Sequence, residues 1–239
     1  SQERKGEKTF AQFEEIARKR GKQFIDVIEE HMPNTVFLSA FWGSQSSYIK
    51  AGKEAAMRND PKLYAEFLSG EYYGLLNAFM LGVLEGADPG TKIIDGNEHS
   101  YYNSDAKHYF DQVKIMHDHI EQIPPDLQLK YTKKVKPGHA IYADYLTNKK
   151  QAHGYSTYMT HEQRGKWVEN NVYWALETAE EYVWYYSELV HYTNPKKIPP
   201  KVLDAIKRAK EKVDTGNQIL GFSMQDILNE ASQEYSKAQ

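Results

Sequence analysis

At 239 residues the chain is long enough to bury a substantial core, and its formal net charge of −3, with acids and bases interspersed, offers no field for nucleic acid or an anionic membrane. The absence of cysteine excludes disulfides, thiolate nucleophiles and cysteine–zinc centres. Aromatics are the unusual component: 18 Tyr stand against 9 Phe and 4 Trp, a balance that favours half-wet clefts over a dry core.

Phe10, Phe13, Ile16, Ala17, Phe24, Val27 and Ile28 recur at helical spacing, which predicts an amphipathic helix over 8–31, broken by Pro33-Asn34. Residues 35–41 form a near-continuous apolar run, the pattern of a strand buried on both faces in a parallel sheet. Trp42-Gly43-Ser44 reads as a turn, and 43–48 as a polar loop. A long second helix is expected over 61–85, with Pro61 in its first turn. A strand over 91–95 follows, then a third helix in which Tyr109, Val113, Met116, Ile120 and Ile123 share a face before Pro124-Pro125. Residues 126–138 are lysine-rich and ambiguous between states. Strands at 139–145 and 182–186 flank a polar loop at 147–161 and a helix at 162–179. After Thr193-Asn194-Pro195 and Pro199-Pro200, helices close the chain at 201–213 and 224–237, the last with Ser223 and Asp226 spaced as a capping box.

Four strands alternating with long helices imply an α/β fold of parallel β/α units, without a repeat or a linker that would divide residues 1–239 into domains. At roughly 50 residues per unit this matches half of a (β/α)₈ TIM barrel, whose full form needs eight strands and about 250 residues. A half barrel would expose strand edges and apolar helix faces, favouring a homo-oligomer or association with a missing N-terminal half. No apolar run approaches the roughly 20 residues needed to cross a bilayer. The polar start, Ser1–Gly6, lacks the apolar segment of a signal peptide. Secretion or a periplasmic location would therefore need a leader upstream of this sequence, and a cytoplasmic location would not.

Two strand ends carry the chemistry. Thr91-Lys92-Ile93-Ile94 runs into Asp95, Gly96, Asn97 and Glu98, followed by His99, Ser100, Tyr101 and Tyr102. Glu181-Tyr182-Val183-Trp184-Tyr185-Tyr186 ends at Ser187-Glu188. An apolar run ending in carboxylates cannot bury that end without pairing them. In alternating β/α folds active sites gather at the carboxyl ends of the strands. Cleavage of a glycosidic bond uses two carboxyls, one protonating the leaving oxygen and one acting as nucleophile or base, and it needs no cofactor. Glu98 is the first candidate, with Glu188 or Asp144 as its partner and Asp95 as a modulating carboxylate. Trp42, Asn97, Tyr101, Tyr102, Trp184 and Tyr186 are the candidate sugar contacts, since flat rings stack on the apolar face of a pyranose. The plainer readings are a helix cap for Asp95 and Asp144, a solvated loop acid for Glu98 and Glu188, and an aromatic packing layer for Trp184.

His117-Asp118-His119 resembles a metal-binding H-x-H pair, but within a helical pattern its two imidazoles diverge. A metal-dependent hydrolase using rim carboxylates with His99 or His139 is a further alternative. Lys130, Lys133, Lys134 and Lys136 read as a solvated basic face. The sequence contains no glycine-rich phosphate loop and no G-x-S-x-G elbow.

The segments Arg20-Gly21-Lys22-Gln23, Leu84-Glu85-Gly86, Asp95–Tyr102 and Glu181–Glu188 resemble bacterial proteins of the glycoside hydrolase-like TIM-barrel type over most of the chain. That resemblance implies the C-terminal half of such a barrel and hydrolysis of a carbohydrate substrate. A carbohydrate-binding or scaffold protein that keeps the aromatic rim without turnover is the competing expectation.

Overall fold

The computed structural model describes residues 7–49, 60–142, 144, 157–188, 194, 201–216 and 219–237. Two compact units divide the chain, one formed by residues 1–97 and 114–137 and the other by 98–113 and 138–239.

The first unit begins with a reciprocal cap. The Thr9 hydroxyl accepts from the Gln12 amide at 3.3 Å, while the Gln12 side-chain oxygen accepts from the Thr9 amide at 2.9 Å, so two otherwise orphaned donors are satisfied at the start of α1 (Phe10–His31). Strand β1 (Val36–Ser39) follows, then helix α2 (43–49), α3 (Pro61–Gly70), α4 (Leu76–Gly86) and β2 (Lys92–Asp95). The chain returns to this unit late in α5 (Ala106–Asp118), passes a 3-10 turn (His119–Gln122) and ends it with α6 (Pro125–Lys134) and β3 (Val135–Pro137). The three strands form one parallel sheet in the order β1-β2-β3, with Phe37 opposite Ile93 and Ile93 opposite Val135. Ile25, Trp42, Met80, Val83, Leu84 and Ile93 form the core between this sheet and its helices.

Three expectations change here. The run at 35–41 is not buried on both faces: β1 is an edge strand, and Val36 and Leu38 remain 41% and 36% exposed. The buried member of that run is Trp42, past the strand. The helix expected over 61–85 is two helices, because Glu71–Leu75 turns between Gly70 and Gly74, where the Gly74 amide donates to the Glu71 carbonyl. The polar loop at 43–48 is helical, and the ambiguous stretch 126–138 holds both α6 and β3.

The second unit holds a 3-10 turn (Glu98–Tyr102), the first half of α5, and β4 (His139–Tyr142) paired in parallel with β5 (Val183–Tyr186). Between them lies α7 (His161–Thr178), started by a Thr160–Gln163 capping box, and after them α8 (Val202–Asp214) and α9 (Met224–Lys237). The Ser223 hydroxyl accepts the Asp226 amide at 3.1 Å, which is one half of the capping box expected there. One face of the sheet, through Ile141, Val183 and Tyr185, packs against Trp167, Val172, Ala205 and Ile227. Glu169, on α7, is buried and paired at 2.7 Å with both Arg208 and Lys212 of α8.

Every pairing is parallel, as expected, but the alternation is incomplete, because β3 and β4 follow one another with only Gly138 between them. Five short strands, however, form two small sheets among the described residues, and neither closes into a barrel. Tyr145, residues 147–156, Thr193, Pro195 and Pro199-Pro200 lie outside the described residues.

Candidate functional site

The site of the second unit is built on the sheet face opposite its helical core. Strand alternation sends Val183 and Tyr185 one way and Trp184 and Tyr186 the other. Parallel register places Ala140 opposite Trp184 and Tyr142 opposite Tyr186. Ser100 locks the 3-10 turn onto this face: its buried hydroxyl donates to the Ala140 carbonyl and accepts from the Ala140 amide, both at 2.8 Å. The turn thereby delivers Tyr101, which stacks on Tyr186 at 5.6 Å with 19° between planes and lies 5.3 Å from Tyr142 and 6.1 Å from Trp184. Tyr102 meets Tyr142 edge-on at 6.4 Å and keeps 57% of its surface exposed.

Carboxylates border the cluster. The Tyr186 hydroxyl donates to Glu188 Oε1 at 2.8 Å. The backbone amide of Glu188 donates to the Asp144 carboxylate, which is fully buried. Glu98 starts the 3-10 turn and is half-buried. The tyrosines register these charges. Burial, then the Glu98 carboxylate, raises the Tyr101 pKa; hydrogen bonding to Glu188 raises that of Tyr186, with Glu98 contributing as well. Burial, then Glu188 and Asp144, raises that of Tyr142. All these phenols stay protonated near neutrality, so they act as hydrogen-bond donors toward carboxylates or a ligand. Of the sequence candidates, Glu98, Tyr101, Tyr102, Asp144, Trp184, Tyr186 and Glu188 are brought together here.

Asp95, Asn97 and Trp42 belong to the first unit. Asp95 is 1% exposed and accepts hydrogen bonds from the Ser44 amide at 2.9 Å, the Ser44 hydroxyl at 2.7 Å and the Asn97 amide at 3.3 Å. Burial raises its pKa, and those bonds offset part of the rise. Asp95 is therefore a structural cap, but of α2, the helix following the neighbouring strand, rather than of the helix that follows it in sequence. Trp42 and Asn97 are fully buried, so neither offers a face to a ligand. Trp42 instead donates from Nε1 to Asn77 at 3.1 Å and packs edge-on against Tyr131 at 5.2 Å. Both are corrected as direct sugar contacts.

The two imidazoles of His117 and His119 diverge, the first exposed and the second buried against Trp42. Among the described residues no group of three or more acids and histidines is placed to hold a metal ion. Lys130 and Lys134 are not a solvated face. Their amines donate to the backbone carbonyls of Glu85 at 2.8 Å and Thr91 at 3.2 Å, and burial lowers both pKa values. No helix among the described residues is long and apolar enough to cross a membrane.

His139 is buried beside Tyr109, its Nε2 lies 3.0 Å from the Thr178 hydroxyl, and burial pushes its pKa down to about 3. The unfolded chain binds that proton at its ordinary pKa of about 6.5. Stability conferred by the neutral ring is complete above about 6.5 and is lost as pH falls toward 3. Asp95 acts in the opposite sense, because its raised pKa favours the fold at low pH. Comparison with His139→Phe isolates the histidine. Urea melts at pH 7 and 4.5 are expected to show the parent losing roughly 2–3 kcal/mol more than the variant; equal losses would refute a buried neutral His139.

Sequence reasoning passed over Tyr142 and Ser100 as site residues. The alternation that exposed Trp184 and Tyr186 also marks Tyr142, once β4 and β5 are paired in register. Nothing local distinguishes Ser100, whose role depends on a partner 40 residues away. In comparisons with known proteins, no family model, curated protein or solved structure matched the chain.

Proposed function

We propose that the second unit binds a saccharide at this aromatic rim and hydrolyses a glycosidic bond there, with Glu98 as the acid and Glu188 as the nucleophile or base. The observation that carries the reading is that Glu188 accepts the Tyr186 hydroxyl at the carboxyl end of β5 while Glu98 borders Tyr101, the ring stacked on Tyr186. Glu98 would protonate the departing glycosidic oxygen while Glu188 attacks the anomeric carbon or takes a proton from the attacking water. The Tyr186 hydroxyl, bonded to Glu188, and Asp144, bonded to its backbone, are the positioning groups. Exposed Tyr102 is the stacking surface. On this reading the parallel units are part of a (β/α)₈-like barrel, an assignment supported by the sequential order of parallel neighbours and the acids at the strand ends.

A second reading is binding without turnover, favoured by Tyr101, which is 8% exposed and spends its face on Tyr186 rather than on solvent. A panel of oligosaccharides, followed for reducing-end release and for retention on immobilised glycan, separates the two. Release is expected for at least one member, with Tyr102→Ala raising KM about ten-fold and leaving kcat within two-fold, consistent with a contact worth about 1.4 kcal/mol. Retention without release would establish binding alone. Neither release nor retention would end the carbohydrate reading.

A further inference from the structure

The second unit carries another concavity, lined by none of the rim residues. A groove of about 620 Å³ lies between the start of α5, the middle of α7 and α9, within the size range of small-molecule sites. Its wall on α7 includes Trp174, whose carbonyl accepts the Thr178 hydroxyl at 2.6 Å; that hydroxyl in turn meets His139, the first residue of β4. The rim tyrosines Tyr142 and Tyr186 are the last residues of their strands.

The groove sets amide and hydroxyl groups, together with Asp105 and His108, around one indole. Asn170 is 2% exposed and uses its amide hydrogens on Asn171 at 3.2 Å, which leaves its carbonyl oxygen as an acceptor. Gln225 donates to Asn229 at 3.0 Å, leaving the Gln225 oxygen to accept and the Asn229 amide to donate. Ser104 and Ser232 add hydroxyls, while Trp174, Met224 and Leu228 supply apolar surface. Among the described residues no lysine or arginine lines the groove, whose ionisable side chains are Asp105 and His108, so an anionic ligand would meet no permanent positive charge there. Paired donors and acceptors beside an indole match vicinal hydroxyls on a ring with one apolar face.

We infer that this groove is an accessory site for an uncharged oligosaccharide, held by Trp174, Asn170, Gln225 and Asn229 and separate from the hydrolytic rim. The choice of ligand class rests on the carbohydrate reading of the rim; the site itself does not share its residues. Titration calorimetry of the full chain carrying Glu98→Gln, with cellotetraose, xylotetraose, maltotetraose and chitotetraose, tests it. At least one sugar is expected to bind, with Asn229→Lys and Trp174→Ala each weakening that binding ten-fold or more. Asn229 is exposed on α9, so its replacement is decisive even if loss of Trp174 disturbs packing. Isotherms unchanged by Asn229→Lys, or no binding of any tetrasaccharide, would overturn the inference. Rim hydrolysis by the parent chain with no Asn229-dependent binding would overturn the groove alone. Asn229-dependent binding in a chain that hydrolyses nothing would uphold the groove and remove the rim reaction.

Discussion

Gly82→Ala is expected to destabilise the first unit by roughly 1–3 kcal/mol or more, seen as a lower urea midpoint. In an open helix the same change would stabilise by about 1 kcal/mol, so the sign itself is diagnostic. A Cβ at Gly82 would lie 1.8 Å from the Arg18 carbonyl oxygen, and one at Gly21 would lie 1.9 Å from the Phe79 carbonyl oxygen. Both obstacles are helix backbone, which cannot rotate away as a side chain would. Helices α1 and α4 therefore meet glycine against backbone, and a methyl group forces them apart. Separation would loosen the packing of Ile25 against Val83 and Leu84 and stretch the bond from Arg18 Nε to Glu85 Oε1, now 2.9 Å. Gly21→Ala should behave alike. An unchanged midpoint in either variant would mean that the two helices do not approach this closely.

That close approach was invisible in the sequence, where Gly21 and Gly82 are single glycines inside helical patterns. The apolar period located α1 and α7 within a residue or two because each buries one continuous face and opens with its own cap. It joined α3 to α4 because Tyr64, Phe67 and Leu68 continue the phase of Leu75, Leu76 and Phe79, and periodicity does not register a turn that keeps phase. Strand β3 escaped notice at three residues, which is too short for alternation to appear. For β1 an apolar run suggested burial on both faces, yet its place at the sheet edge leaves Val36 and Leu38 open. Sheet order is a long-range property, and composition carries no record of it.

The site shows the same division. Strand periodicity was enough to put Trp184 and Tyr186 together, and their proximity to Glu98 and Tyr101 follows from the turn held by Ser100. Asp95 looked like a rim acid for the same reason that Glu98 did, since both follow a β-branched strand. What separates them is partner geometry: Asp95 is consumed by Ser44 and Asn97, whereas Glu98 stays half-buried beside a phenol. Trp42 read as a sugar contact because it ends a strand, but an indole there can serve a core as well, and Asn77 and Tyr131 decide for the core.

Glu98→Gln is expected to reduce hydrolysis of an unactivated oligosaccharide by about 10²–10⁴-fold while leaving its KM within a factor of a few. Glutamine keeps the shape of the side chain and cannot donate the carboxyl proton. A 2,4-dinitrophenyl glycoside offers a sharper comparison, because that leaving group departs as a stable anion and needs little protonation. The same variant should hydrolyse the activated glycoside at nearly the parent rate wherever breakage of that bond limits turnover. Glu188→Gln should lose both reactions, since nucleophile or base is required whatever the leaving group. Tyr186→Phe removes the bond to Glu188 Oε1 without removing either acid, and an intermediate loss in kcat on both substrates would identify Tyr186 as a positioning residue. If Glu98→Gln lowers the two rates equally, Glu98 is not the proton donor. If it lowers neither, the acid roles fall, and the rim tyrosines are left as a packing layer or a binding surface.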